Sequence, residues 1–521
     1  MERRIIIYDT TLRDGAQAGE VSFSVEDKLK ITKALDQYGF DYIEGGWPGS
    51  NPKDIEYFRR AKELNFKHAK LAAFGSTRRK DIKPEDDPYL KALIDACTPT
   101  VTIFGKSWDL QVTDALRTTL EENIKMIKDS VAYLKSHGKE VIYDAEHFFD
   151  GFKANPDYAL ETLVAAKNAG ADFIVLCDTN GGAKVYDVHK AIDEVKIKVD
   201  DVRLGIHTHN DMGLAVATTE AAVAEGAEMV QGTVPPIGER IGNANLITLI
   251  GNLEREGYRI DILTFKLTEI YRFVCEVANI TPDNKQPYVG KFAFAHKGGV
   301  HVDAVLKNPR LYEHEDPEKY GNRRVFLISD LSGAANIEAL KQYGILKDDP
   351  VTKEALRLLK SKESQGYKYE AAEGSFRLIV ERLKGNNFKI IDRDMIDYKV
   401  EIIKNRVSEP LSTATVQIKV NGDIVIKSSN GNGPVNALDS ALRSALTEKF
   451  PELSKLKLFD YKVRVLSGKE GTADRVRVLI ESEYRNERFG TVGVHENIVE
   501  ASLEALVDSF NYAYLKEKSA L

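Results

Sequence analysis

Two histidines one residue apart, His207 and His209, close an apolar run in Leu204-Gly205-Ile206-His207-Thr208-His209-Asn210-Asp211. In an extended chain, residues two apart project to one side, so both imidazoles can meet at a single point, the spacing of a metal-ligand pair. A hydrogen-bonded core position is the plainer use of one histidine, but it accounts poorly for a His-x-His pair flanked by Asn and Asp. The first apolar run, Ile5-Ile6-Ile7-Tyr8, opens in the same manner into Asp9-Thr10-Thr11-Leu12-Arg13-Asp14-Gly15. Arg13 and Asp14 are adjacent there, close enough to share one small anionic ligand or one metal shell, with a surface ion pair at a strand end as the alternative. Asp14, together with Asn243 in the later Gly238-Glu239-Arg240-Ile241-Gly242-Asn243 turn, offers oxygens that would complete a mixed nitrogen and oxygen set.

Side chains so far apart in the chain need a scaffold that returns strand ends to one place. From Ile5 to about Glu256 the pattern is strand, loop, helix, repeated. After Ile5-Tyr8, strands are expected at Tyr42-Glu44, Leu71-Phe74, Val101-Phe104, Val141-Ala145, Phe173-Cys177, Leu204-His207 and Met229-Gly232. Amphipathic stretches between them, such as Val25-Tyr38, Leu116-Ser136, Tyr158-Asn168 and Leu214-Glu225, are of helix length, and Asn51-Pro52 and Asn155-Pro156 each supply a cap followed by proline at the first helical position. Eight strands and eight helices in about 250 residues is the size of a (β/α)8 barrel. A doubly wound open sheet would show a glycine-rich phosphate turn after its first strand, and none is present.

A barrel gathers the loops after all eight strands at one rim. Chemistry-bearing residues follow almost every expected strand: Arg13 and Asp14, Glu44, Ser76-Thr77-Arg78-Arg79, Lys106, Glu146 and His147, Asp178-Thr179-Asn180, His207 and His209, and Asn243. Such repetition points to an enzyme and away from a scaffold on a retired barrel, which should show gaps among the ligands.

At 521 residues the chain suits three or so domains, and a net charge of −7 with both signs spread throughout opposes a nucleic-acid or anionic-membrane partner. No apolar run is long enough to span a bilayer, and Met1-Glu2-Arg3-Arg4 followed by one short strand does not read as a signal peptide. Cys97, Cys177 and Cys275 stand far apart with no CxxC pair, which fits a reduced cytoplasm.

Beyond the barrel, Thr264-Val277, Asn336-Tyr343 and Asp348-Lys362 read as helices, and Lys384-Gly385-Asn386-Asn387 marks a boundary, after which the pattern changes to alternation. Three parts result: a catalytic barrel over 1–262, a linker region over 263–390 and a C-terminal domain over 391–521. The last part repeats internally. A shift of 60 superposes Val416 on Val476, Ile418 on Val478, Val420 on Ile480, Gly433 on Gly493, Ala441 on Ala501 and Leu446 on Leu506, each copy reading as strands, a glycine turn and a helix. A dimerisation module and an amino-acid-binding module both fit such paired halves.

The segments DTTLRDGAQ, EGGWPGSNPKD, AFGSTRR, YDAEHFFDGFKANP, LCDTNGG, IHTHND and GERIGNANL resemble the signatures of the acyl-CoA condensing metalloenzymes, the family of isopropylmalate, homocitrate and citramalate synthases. The resemblance runs nearly to the C-terminus and departs at Thr233-Val234-Pro235-Pro236-Ile237, where a loop containing Asn-Gly is expected. It implies one divalent cation, Mn, Mg or Zn, on Asp14, His207, His209 and Asn243, with acetyl-CoA as co-substrate. A 2-oxo acid would fill the open coordination positions, with Arg13, Asp14 and Thr179 as contacts and Arg13 sharing charge stabilisation. EGGWPGSNPKD, AFGSTRR and EHFFDGFKANP are most similar to the branch that uses pyruvate, and the same chemistry on 2-oxoisovalerate or 2-oxoglutarate is the alternative, ahead of a lyase using the same metal set. For the base, Glu146 on the rim and His301 in Phe294-Ala295-His296-Lys297-Gly298-Gly299-Val300-His301-Val302-Asp303 both qualify; His301, Asp303 and Tyr312 match positions that assist acetyl-CoA. Asn430-Gly431-Asn432-Gly433-Pro434-Val435 and Gly493-Val494-His495-Glu496-Asn497-Ile498 look like the family's feedback domain, which implies a homodimer and a branched-chain amino-acid effector, isoleucine, at Gly433, Pro434 and Gly493.

Overall fold

The structure, a computed structural model, describes residues 3–328, 336, 340, 341, 349–386, 388–404, 409–420, 422–466, 474–485 and 487–519. It divides into two compact units, Met1–Phe294 with Glu315–Arg323, and Ala295–His314 with Arg324–Leu521.

The first unit is built on a closed barrel of eight parallel strands in sequence order. They are β1 (Ile6–Asp9), β2 (Tyr42–Gly46), β3 (Lys70–Ser76), β4 (Thr100–Lys106), β5 (Glu140–Glu146), β6 (Phe173–Asp178), β7 (Leu204–Thr208) and β8 (Met229–Gly232), and β8 closes on β1 with Ile6 opposite Met229. Alternate residues face opposite ways along each strand. Ile5, Ile7, Ile43, Val141, Ile174, Ile206 and Val230 pack outward against the helices, while Ile6, Tyr42, Ala72, Ile142, Phe173, Val175 and Met229 fill the barrel interior. Towards the C-terminal ends the inward positions turn polar: Tyr8 follows Ile6, Glu44 follows Tyr42, Asp144 follows Ile142 and Gln231 follows Met229, all buried. The floor of the barrel is therefore oily and the layer beneath the rim is built for hydrogen bonding.

Helix ends follow the sequence. Val25–Tyr38 starts on a reciprocal cap between Ser24 and Asp27 and stops at Gly39, whose φ of 91° is readily reached only without a Cβ. Asn51 and Asn155 each accept the backbone N–H three residues on, at Asp54 and Tyr158, with proline at the first helical position. Asn155→Ala is expected to cost about 1 kcal/mol, seen as a lower urea midpoint; both tryptophans, Trp47 and Trp108, lie in this unit and report on it by fluorescence. The helix expected over Leu116-Ser136 begins only at Leu120, because Thr119 caps it and Arg117 takes a left-handed φ of 52° after a short π-helical turn over Gln111–Leu116. The helix Leu267–Val277 and Tyr288 and Tyr320 pack onto the same core.

In the second unit, helices Gly299–Lys307, Pro350–Ser364 and Glu373–Leu383 precede two three-stranded antiparallel sheets, Ile396–Ile403, Leu411–Val420, Asp423–Gly431 and Lys457–Val465, Val476–Tyr484, Glu487–His495. The helix expected over Asn336-Tyr343 lies largely outside the described residues. A helix follows each sheet, Pro434–Thr447 and Ile498–Ser519, and Val416, Ile418, Val478, Ile480, Leu438, Leu442, Leu506 and Phe510 share one core. The repeat is present, but its offset is 64 rather than 60: Asp423 and Glu487 start equivalent strands and Pro434 and Ile498 equivalent helices. A slip of four residues preserves the two-residue alternation of a strand and is nearly one turn of a helix, so apolar positions match at either offset. Gly433 therefore caps a helix, whereas Gly493 lies within a strand against Ala501, and the two are not equivalent.

Candidate metal centre

Asp14, His207 and His209, from the loop after β1 and from β7 and its end, come together at the barrel rim, all buried. The two Nε2 atoms lie 3.3 Å apart, and Asp14 Oδ2 is 3.8 Å from each. Asn243 joins them. With its amide turned to donate to Asp14 Oδ1 at 3.0 Å and to Ile237 O at 3.1 Å, its oxygen lies 3.1 Å from His207 Nε2, among the other donor atoms of the cluster. An antiparallel backbone bridge between His209 and Asn243 ties the two loops that carry them.

The electrostatics suit a cation. Burial pushes the His207 imidazole down to about 3 and lowers that of His209, so both rings are neutral and carry a lone pair. Burial works to raise the Asp14 carboxyl, but the charge of the Arg13 guanidinium outweighs it and holds Asp14 well below the usual carboxylate range. Lone-pair atoms of an anion, two neutral rings and an amide thus face one another at the end of an otherwise filled barrel. A divalent ion fits this donor set, since it turns mutual repulsion into ligation.

Arg13 is fixed on three sides. Its Nε donates to Glu44 Oε1, its Nη1 donates to Asp14 Oδ2 at 2.8 Å, and its Cζ lies over the Phe74 ring, 3.7 Å from the ring centre. Glu44 is itself held by the Tyr8 hydroxyl at 2.7 Å, and that hydroxyl also meets Thr102 Oγ1 at 2.7 Å. Thr179 Oγ1 accepts the His147 N–H at 2.8 Å, and its carbonyl accepts from Arg240, whose fork grips Asp211. Glu146 is paired with Lys106 across β4 and β5.

Other rim residues do not join the cluster. Arg78 is buried against Glu122 and Asp129 of the helix Leu120–Ser136, a structural use of its charge. In the second unit, the exposed His301 and half-exposed Tyr312 stack with ring centres 4.1 Å apart, and Asp303 pairs with Lys307 at 2.5 Å. The loop after β8, which departs from the expected Asn-Gly pattern, closes on itself: Thr233 Oγ1 donates to Ile237 O and accepts from Ile237 N.

No residue spacing in the sequence singles out Asp144 or Gln231. Gln231 Oε1 accepts His207 Nδ1–H at 3.0 Å, and Gln231 Nε2 donates to Asp144 Oδ1 at 3.2 Å. The signal was a polar residue on the inward side of an otherwise apolar strand, legible once β7 and β8 are known to pair with His207 opposite Gln231.

Gly238 shows how tightly the set is built. With φ of 141°, it sits where an added Cβ would overlap the Asn243 amide and come within 3.0 Å of Asp14 Oδ1. Gly238→Ala is expected to lower turnover about tenfold by displacing those two side chains, measured by steady-state kinetics alongside an unchanged circular dichroism spectrum.

Three family models match the chain: HMGL-like over residues 4–274, homocitrate synthase post-HMGL domain-like over 288–366, and LeuA allosteric (dimerisation) domain over 370–514. The chain is 51% identical to an (R)-citramalate synthase of Aquifex aeolicus, with 99% of each chain covered, and 52% identical to one of Geobacter sulfurreducens, with 98% of each covered. A 2-isopropylmalate synthase of Methanocaldococcus jannaschii is 32% identical, with 99% of this chain and 96% of that one covered.

Proposed function

Because the chain belongs to the family of (R)-citramalate synthases, we propose that it joins acetyl-CoA to pyruvate and releases (R)-citramalate and free coenzyme A. The observation that carries pyruvate over a larger 2-oxo acid is the full-length identity of 51–52% to citramalate synthases against 32% to an isopropylmalate synthase. The product suits the route to 2-oxobutanoate and isoleucine.

Asp14, His207, His209 and Asn243 would hold one divalent cation, Mn, Mg or Zn. When bound, it supplies Lewis-acid polarisation of the ketone of the oxo acid. Arg13, anchored by Glu44, directs fixed positive charge at the oxygen on which negative charge develops, where a preorganised donor counts most. Thr179, pinned by the His147 N–H, and Asp14 orient the oxo acid. One methyl proton of acetyl-CoA passes to a base, Glu146 or His301, and the resulting carbanion equivalent forms the new carbon–carbon bond at the ketone carbon while its oxygen takes up a proton. Water then cleaves the thioester, leaving the new carboxylate and the free thiol. Tyr312 and Asp303 act on the acetyl-CoA side. The pairing of Glu146 with Lys106 favours an orienting part for that carboxylate, which supports His301 as the base.

The functional parts are the catalytic barrel over 1–262, the linker over 263–390 and a regulatory domain over 391–521. The last pairs two chains into a homodimer, in keeping with the dimerisation domain matched there, and Ile424 and Ile426 on one sheet and Phe459 and Val465 on the other, each more than half exposed, are apolar side chains open to a second copy. Isoleucine is the effector, bound near Gly433, Pro434 and Gly493. All three cysteines are free, which suits a cytoplasmic enzyme, and among the described residues no helix is long and apolar enough to cross a membrane.

The test is coenzyme A release from acetyl-CoA with a panel of 2-oxo acids, in metal-replete and chelated buffer. Turnover with pyruvate, lost on chelation and inhibited by isoleucine, is expected. Turnover confined to a larger oxo acid would reject the substrate assignment.

A further inference from the structure

The metal reading leaves one question open within the barrel: what keeps His207 facing the site with the correct nitrogen bare. A neutral imidazole exists as two tautomers, and only the form protonated at Nδ1 leaves Nε2 free for a cation. Nε2 of His207 faces Asp14 and His209, and Nδ1 meets Gln231 Oε1 at 3.0 Å. An amide can present either end, so the acceptor end must itself be specified. Asp144 does this, since its Oδ1 takes the amide N–H of Gln231 at 3.2 Å, which turns the carbonyl oxygen towards the ring. Gln231 is fully buried and Asp144 nearly so, where polar groups without partners are costly, and the two satisfy each other. The strand pairing sets the reach: β5 carries Asp144, and β8 carries Gln231 directly opposite His207 on β7.

We propose that Gln231, oriented by Asp144, is a positioning residue that fixes the Nδ1–H tautomer and ring orientation of His207 and so sets the affinity of the centre for its cation. This rests on the assignment of His207 as a ligand and on no property of the substrate. Partners of this kind behind a ligating histidine are worth 10- to 100-fold in metal affinity.

The test uses the full-length protein, stripped of metal, and equilibrium titration with Mn2+ or Co2+ against a chromophoric chelator, without substrates. Gln231→Asn keeps the amide but shortens its reach by one methylene, and is expected to bind about 10- to 100-fold more weakly and to shift the visible ligand-field bands of the Co2+ form. Gln231→Glu still offers an oxygen to Nδ1–H and is expected to restore most of the affinity. Urea midpoints and circular dichroism establish that both variants are folded, and should Gln231→Asn fail to fold, Gln231→Met supplies the same loss of acceptor in a side chain of matching length. Parental affinity and spectrum in a folded Gln231→Asn or Gln231→Met would overturn the proposal, as would equal losses in Gln231→Asn and Gln231→Glu. A parent chain that itself binds no stoichiometric cation would instead overturn the metal reading on which it stands.

Discussion

Asp14→Ala is expected to bind no stoichiometric divalent cation under conditions that saturate the parent, and to lose pyruvate-dependent coenzyme A release by about 10³-fold or more. The magnitude follows from losing a metal worth several kcal/mol of charge stabilisation, at 1.36 kcal/mol for each tenfold in rate. Asp14 is the single anion among the proposed ligands; without it the site is two neutral imidazoles and an amide beside the Arg13 guanidinium, an arrangement that repels a cation. The fold should tolerate the change. Glu44 and Asp144 are buried nearby, and each has its carboxyl pushed up, first by burial and in part by the negative charge of Asp14, so removing that charge relieves crowding while Arg13 keeps its bond to Glu44. Metal titration, turnover and a urea midpoint on one preparation separate the outcomes. A variant that still binds one equivalent with parental affinity would show that the cation lies elsewhere.

The barrel was legible because its physics repeats eight times. Each strand is a short apolar run that breaks into polar residues, and each break falls at the same end of the fold. Val25–Tyr38 and Met229–Gly232 match the expected bounds, β1 runs one residue later than expected, and the other strands extend theirs by a residue or two at an end. His207 and His209 were legible through their spacing, and Asp14 and Asn243 come to them because the loops after β1 and β8 adjoin through the closure of the sheet. What escaped was whatever depends on neighbours distant in the chain. Nothing local separates Arg78, spent on Glu122 and Asp129, from Arg13, which faces the cluster; only the packing of the helix Leu120–Ser136 does so. Gln231 and Asp144 read as interruptions of apolar strands until strand order places one behind His207 and the other behind Gln231. The repeat was found but misaligned, since four residues satisfy both structural periods at once.

Arg13→Lys is the change that separates charge from geometry in the same site. It is expected to lower kcat about 10²- to 10³-fold, the range seen when a single preorganised donor to a developing oxyanion is removed, with cation affinity and urea midpoint close to the parent. A lysine retains the positive charge that Glu44 and Asp14 need, which keeps the buried acids paired. It has one ammonium where the guanidinium has a planar fork, so it cannot bond Glu44 from one edge and Asp14 from another, and it has no plane to lay over Phe74. The rigid chain from Thr102 through Tyr8 and Glu44 to Arg13 would then end on a flexible point charge. Because that loss falls on the transition state more than on bound substrate, kcat should fall and KM for the oxo acid change little. A rise in KM at unchanged kcat would instead assign Arg13 to holding the substrate carboxylate, with the ketone oxygen left to the cation.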